Sequence, residues 1–305
     1  MKKLKNILIQ FAISFTVLWS VFVWYAAWND VVNDGDSLTH TMWNDFVTQM
    51  STVTWDIPPI LKWYHDGLAI SNDWWDADHD VQIDAGMATS DDETTYMSLN
   101  TSLTKRIDAS WSEGSNQWGL DTGTVSNNTF YYSYLIYNST SSTVDVLFSA
   151  SPTSPTMPAG YTKKRRLSNG AFLTDGSANI LEFNKSWKYH YFSDKIADHE
   201  TIPIPTSGVF STYQLSMPRI DNIVGIIYAG QQYTGVGVVG ITVAFRRTGT
   251  TGTHLLHSKA TSGYDALFAQ GFVDMNSNAQ VDLAFFYVAP TNNFRIHTQG
   301  WIDNN

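Results

Sequence analysis

VDVLFSASPTSPTMPAGYTKKRRLSNGAFLTDGSANI, from Val144 to Ile180, packs a strand, a three-proline crossing loop, a four-residue basic cluster and a second strand into 37 residues. In its first part Val144, Val146 and Phe148 alternate with Asp145 and Ser149, and Leu147 is the one break, so the pattern predicts a strand with one buried and one wet face. Pro152, Pro155 and Pro158 each fix φ and lack an N–H, so the chain between them joins no ladder and runs extended over the surface until Gly160 turns it back. Lys163, Lys164, Arg165 and Arg166 then open a second strand that ends in Ala171, Phe172 and Leu173. Asp175-Gly176 supplies turn chemistry after it. Strand, stiff crossing loop, strand is the grammar of a β protein.

Outward from there the same grammar repeats. Strands are expected at 81–85, 96–99, 103–107, 130–138, 144–149, 165–173, 180–183 and 187–192. Gly, Asn, Ser and Asp turns separate them. Phe130 to Tyr137 is apolar or aromatic at almost every position, so both of its faces should be covered, which makes it a central strand or one at a subunit interface. Ile202-Pro203-Ile204-Pro205-Thr206-Ser207-Gly208 reads as an extended linker. Beyond it strands are expected at 209–216, 220–228, 236–245, 254–258, 266–273, 280–288 and 293–298. The glycines of 235–240 sit between strand patterns with no following helix, so they signal close packing and no phosphate loop. The expected fold is mainly β, with two antiparallel sandwich or jelly-roll-like domains over residues 55–202 and 203–305.

The string around 144–180 resembles a family of bacteriophage tail-fibre and related virion proteins. The likeness continues upstream through Lys105-Arg106-Ile107-Asp108-Ala109-Ser110-Trp111 and Gly119-Leu120-Asp121-Thr122-Gly123-Thr124-Val125, and downstream at Gly300-Trp301-Ile302-Asp303. It covers residues 65–200 well and the last hundred loosely, and it departs at Leu167-Ser168, where the family has Ile-Gly. What the resemblance implies is a non-enzymatic, β-rich, often trimeric appendage protein.

Residues 1–28 set a different signal. Lys2, Lys3 and Lys5 precede an uncharged run from Ile7 to Trp28, long enough for a helix to span a bilayer at about 20 residues. The lysines place its start in the cytoplasm. Trp24 and Tyr25 fall at the −3 positions of the nearest cleavage options and suit an interfacial belt better than a signal peptidase. An N-terminal anchor is the preferred reading, a removed signal or a helix packed in an assembly the others. In the 29–54 connector, Leu38, Met42, Phe46 and Met50 recur at helical spacing, a short amphipathic helix that needs a partner on its own chain or on neighbouring protomers.

Composition bounds the function. The 305 residues carry a net charge of −10, with 15% charged and 14% aromatic residues and no cysteine. That charge disfavours nucleic acid, and the absence of thiols removes disulfides, thiolate metal sites and cysteine nucleophiles. The eight histidines show no zinc spacing. No Gly-x-Ser-x-Gly elbow occurs.

The candidate ligand-binding residues are Trp63, Tyr64, Trp74 and Trp75, which lie among carboxylates as sugar-stacking platforms do, and Lys163 and Arg165 of the basic run. Core filling is the plainer role for the indoles. Pairing with Asp145, Asp121 or Asp175 is the plainer role for the cations. Asp76, Asp78 and Asp80 open like a calcium loop, yet Val81 and Met87 stand where an EF-hand needs Gly and Glu, leaving only an irregular calcium site as a cofactor candidate. A glycosidase would use a carboxylate pair, with Asp76 and Asp80 or Asp56 and Asp66 the best guesses.

The sequence therefore predicts a non-enzymatic structural or adhesive appendage protein. It would be extracytoplasmic, membrane-anchored through 7–28 or virion-borne, assembled as a homo-oligomer such as a trimer or filament, and directed at a cell-surface glycan or receptor. A filament-forming surface subunit and a glycan depolymerase are the alternatives.

Overall fold

β8 (Phe130–Asn138) is the strand around which the rest is laid. Its apolar character on both faces is matched by its place in a seven-stranded sheet, between β9 (Thr143–Ser149) and β10 (Tyr161–Leu173). The side chains of Tyr132, Tyr134 and Ile136 enter one buried apolar cluster, and those of Tyr131 and Leu135 enter another on the opposite face. Burying an aromatic or large aliphatic side chain contributes about 1.5–3 kcal/mol, so this strand alone supplies a large part of the driving force.

The protein is described by a computed structural model over residues 64–186, 188–203, 208–232, 238–261, 266–286 and 293–304. The apolar run at 7–28, the amphipathic segment at 38–50, Asp56 and Trp63 lie outside the described residues. The described residues are mainly β, and no helix occurs among them.

The seven-stranded sheet runs β10-β8-β9, then β7 (Gln117–Leu120), β6 (Leu103–Ser110), β3 (Asp80–Ile83) and β2 (Ile70–Asn72). Its pairs are antiparallel except β6 with β7 and β7 with β9. A three-stranded sheet of β1 (His65–Gly67), β4 (Gly86–Thr89) and β5 (Tyr96–Leu99) shares the cluster that holds Leu135, Val146 and Phe148. A five-stranded sheet is ordered β11 (Phe183–Ser186), β12 (Tyr189–Pro203), β19 (Asn293–Asp303), β14 (Ile223–Gln232), β17 (Ala266–Asp274). A four-stranded one is ordered β13 (Ser211–Gln214), β18 (Gln280–Phe286), β15 (Val238–Arg247), β16 (His254–Thr261). Their apolar faces meet Tyr132, Tyr134 and Ile136 in the other cluster.

β12 would close the first domain on the sequence reading. It hydrogen-bonds to β19 from Tyr189 opposite Ile302 to Pro203 opposite Asn293, so one apolar cluster runs across the 202/203 position.

The crossing loop at 150–160 does what its prolines dictate. β9 ends beside the start of β8, where Ser149 faces Tyr132, and β10 begins beside the end of β8, where Tyr161 faces Asn138. The loop must therefore travel the length of β8. Tyr134 donates its hydroxyl to Ser151 O at 2.9 Å, Thr156 N donates to Asp121 at 2.9 Å, and Gly160 turns the chain back at φ +84°. Pro155 is buried and Met157 packs on the core, so the segment is partly inside, where a wholly surface path was expected.

A second expectation fails on β9. Asp145 and Ser149 are buried and both faces are covered, where alternation predicted a wet face. The wet face vanishes because Asp145 meets Lys105 of β6 at 2.9 Å, with both side chains inside the protein. Lys105 also donates to Ser112 O at 2.7 Å, and Gly114 N donates to Asp145 at 2.8 Å, so this ion pair ties the 111–116 loop to the sheet.

His190 of β12 is fully buried. Its ring stacks on Trp301 at 3.8 Å and on Phe183 at 4.5 Å, and neither ring nitrogen has a hydrogen-bond partner among the described residues. Burial holds its pKa well below the ordinary histidine value, with the Lys185 charge acting in the same direction. Burial, with Lys185 and Arg165, likewise takes His65 down to about 4.

Both imidazoles are neutral in the fold but take up a proton in the unfolded chain near pH 6.5, so their contribution is present above that pH and is lost as pH falls below it. Asp80, its carboxyl pushed up to about 6, takes up a proton in the fold before the unfolded chain does, so it gains stability as pH falls through 6 and offsets part of the histidine loss. We expect urea midpoints to fall from pH 7.5 to 5. His190→Phe should remove up to about 1.4 kcal/mol of that loss per pH unit below 6.5. Parallel pH profiles for wild type and variant would reveal a structural cause elsewhere.

Candidate functional site

The residues brought to one place are those of the β2–β3 hairpin. Ile70 faces Ile83 and Asn72 faces Val81, leaving 73–79, DWWDADH, as its connection. Hydrogen bonds close its base. Asp73 N donates to Asp80 O at 2.9 Å, and Asp73 Oδ1 accepts from Trp75 N at 2.9 Å, a side-chain turn of the kind aspartate favours. Asp76 O accepts from Asp80 N at 2.9 Å, and Asn72 Nδ2 donates to Ala77 O at 2.9 Å. Asp78 O accepts from Ile180 N at 2.7 Å, which fastens the tip to the β10–β11 connection.

This fixed backbone holds Trp74 and Trp75 out in solvent. They are 74% and 79% exposed, and their ring centroids lie 3.8 Å apart at 39°. Burial of these two indoles in the core, the plainer expectation, is excluded. Two adjacent exposed indoles on an ordered turn form an apolar patch of the sort that marks an interaction site.

The hairpin is acidic beneath. Asp76 accepts from, or pairs with, His79 Nδ1 at 3.0 Å. Burial pulls the His79 imidazole down, but its hydrogen bond to Asp76 and the charges of Asp108, Asp76 and Asp78 outweigh this and hold its pKa above the ordinary value. Asp80 is only 6% exposed, and its Oδ1 has no hydrogen-bond partner among the described residues. Burial, opposed by Arg106 and reinforced by Asp76, Asp73 and Asp108, pushes its carboxyl up to about 6. Among the described residues no group of three or more His, Asp or Glu side chains is arranged to hold a metal ion. Asp76 pairs with His79, Asp80 lies 3.7 Å from Arg106, and the Asp78 backbone carbonyl accepts from the Ile180 amide.

Two residues of this face, Arg106 and Trp118, escaped the sequence reading. Arg106 lies opposite Asp80 on β3 and opposite Trp118 on β7, so the three form a row across the outer face of the sheet. The Arg106 guanidinium sits 5.7 Å from the Trp118 ring, and that ring is 36% exposed. β7 is four residues long with no alternation to betray it. The available signal was on β6, where Leu103, Lys105 and Ile107 turn inward and Thr104, Arg106 and Asp108 outward.

The other candidates lie elsewhere. Tyr64 is half-buried beside the three-stranded sheet, its carbonyl accepting from Thr89 N at 2.9 Å. Each cation of the basic run faces a carboxylate. Lys163 bonds Asp92, Lys164 bonds Asp91 at 2.7 Å, Arg165 lies 3.8 Å from Asp91, and Arg166 lies 3.4 Å from Asp303.

These partners differ from the expected Asp145, Asp121 and Asp175. Asp145 is taken by Lys105, Asp121 by Thr156 N, and Asp175 by Ser177 N and Asn179 N in its own turn. Hydrogen bonds from Lys163 and Ser90 hold the Asp92 carboxyl well below the usual carboxylate range. For the glycosidase pairs, Asp66 stands on β1. Asp76 and Asp80 share a turn in which Asp76 is committed to His79.

No protein-family model matches the chain, and a search of the curated proteins gives no match.

Proposed function

We propose that this chain is a non-enzymatic structural and adhesive protein of a cell surface or virion, which presents the β2–β3 hairpin to a surface glycan. In this reading the protein is extracytoplasmic, anchored through residues 7–28, and homo-oligomeric, with its packed sheets serving as a rigid sandwich-like scaffold. The single observation that carries the glycan reading is the exposed Trp74–Trp75 pair, held on a hydrogen-bonded turn among carboxylates. An indole face stacks on the C–H face of a sugar ring, while neighbouring carboxylates accept from its hydroxyls. The likeness of residues 65–200 to tail-fibre proteins supports the appendage reading.

The test is retention of the full-length protein on immobilised cell-surface polysaccharides, with reducing ends assayed in the eluate. We expect retention without release of reducing ends. Replacing both Trp74 and Trp75 by Ala should weaken retention by tenfold or more with unchanged circular dichroism, since stacking contributes about 1–1.5 kcal/mol at such contacts. Release of reducing ends would favour a depolymerase. Full retention by the double variant would remove the hairpin from the reading.

A further inference from the structure

We propose that the hairpin and the outer face of β3, β6 and β7 form one extended site for an oligosaccharide of amino sugars with free amines, in which Trp118 is a second stacking platform. This rests on the glycan reading above and specifies its ligand.

Length follows from register. Asp80, Arg106 and Trp118 are cross-strand neighbours, so Trp118 stands two strand spacings, about 10 Å, from Asp80. Trp74 and Trp75 belong to the connection that leads into Asp80. The aromatic platforms thus come from two places, Trp118 about 10 Å across the sheet from Asp80 and Trp74 and Trp75 on the turn before it. A chain of rings running from the hairpin over Arg106 to Trp118 engages each in turn.

Charge selects the class of sugar. Asp73, Asp76, Asp78 and Asp108 gather around Asp80, and the cations facing them are Arg106 and, when protonated, His79. Asp80 is more than nine-tenths buried, with Oδ1 unpartnered and sealed among protein atoms and Oδ2 3.7 Å from Arg106 Nε, so its carboxyl is only partly answered from within the fold. A buried acceptor without a partner is costly, and more so when it is charged. Asp76 and Asp108 are open to solvent and are the groups an arriving ammonium meets first, with the buried Asp80 behind them. An ammonium also gains from the faces of exposed indoles. A phosphorylated or uronic-acid glycan meets repulsion from the same carboxylates. Lys163 to Arg166 offer it no substitute, since all four are matched by Asp91, Asp92 and Asp303.

The experiment is titration calorimetry of the full-length protein at pH 6.5 with three tetrasaccharides: β-linked glucosamine, its fully N-acetylated form, and galacturonate. We expect the free-amine tetramer to bind at least tenfold tighter than the N-acetylated one, the acidic tetramer to show no binding, and 0.5 M salt to weaken the first selectively. Trp118→Ala should cost about tenfold, and Asp108→Asn should narrow the amine preference. Equal binding of the free-amine and N-acetylated forms, tighter binding of the acidic one, or an unchanged Trp118→Ala variant overturns this inference and leaves the glycan reading standing. Failure of all three tetramers, together with a polysaccharide retention that ignores Trp74 and Trp75, overturns both.

Discussion

Gly300→Ala is expected to abolish stable folding, with a loss of upwards of about 3 kcal/mol, at or beyond the top of the usual overpacking range. Gly300 sits on β19, an interior strand, opposite Tyr191 of β12 and Ile226 of β14. A methyl group there would penetrate the carbonyl oxygen of His190 and lie 2.9 Å from the Tyr191 Cα. Both obstacles are backbone, and backbone held between two neighbouring strands has nowhere to retreat. The register also shifts just beyond this point on both sides, so the β12 and β14 ladders are matched to the absence of a side chain. A urea titration followed by far-ultraviolet circular dichroism checks this. A variant with a wild-type midpoint would show that the two backbones are not so close.

The second large effect concerns Lys105 and Asp145. Lys105→Met should cost about 3–5 kcal/mol, because it leaves a buried carboxylate without its cation. Pairing that change with Asp145→Leu should recover most of the loss, since an apolar pair of similar volume replaces a fully desolvated ion pair at little net cost. The Gly114 and Val146 N–H groups and the Ser112 carbonyl lose these partners in the double variant, so recovery should stop short of wild type by about 1–3 kcal/mol. Urea midpoints of the two single variants and the double variant give the coupling directly. Simple additivity of the single losses would mean that the pair does not act as a unit.

How much of this was legible beforehand depended on pattern length. β8 and β5 were read at their observed bounds, and β8 also in its two-sided burial, because nine residues without a polar face have only one reading. β1, β2, β4 and β7 were missed: each is three or four residues long and, unlike the equally short β5 with its Tyr, Met and Leu, has too few apolar residues to mark a strand. The polar partners went astray for a different reason. Lys163 and Lys164 find Asp92 and Asp91 in the β4–β5 connection about seventy positions earlier, a proximity set by topology, which no local pattern encodes. Asp145 was assigned to water by alternation alone, and only the neighbouring Lys105 on the apolar face of β6 explains its burial. At the candidate site the aromatic and acidic composition of 73–80 was visible, whereas the outward display of Trp74 and Trp75 required the turn hydrogen bonds of Asp73 and Asn72. Trp118 joined the site only through the β3–β6–β7 register.

Hydroxyl-radical footprinting of the full-length assembled protein, read by mass spectrometry with and without polysaccharide, tests most directly whether the hairpin is a ligand surface. Trp74 and Trp75 should oxidise rapidly in the free protein and become protected when glycan is added, while the buried Trp301 stays unmodified throughout. Protection of both indoles before any glycan is present, or oxidation unchanged by saturating glycan, would contradict it.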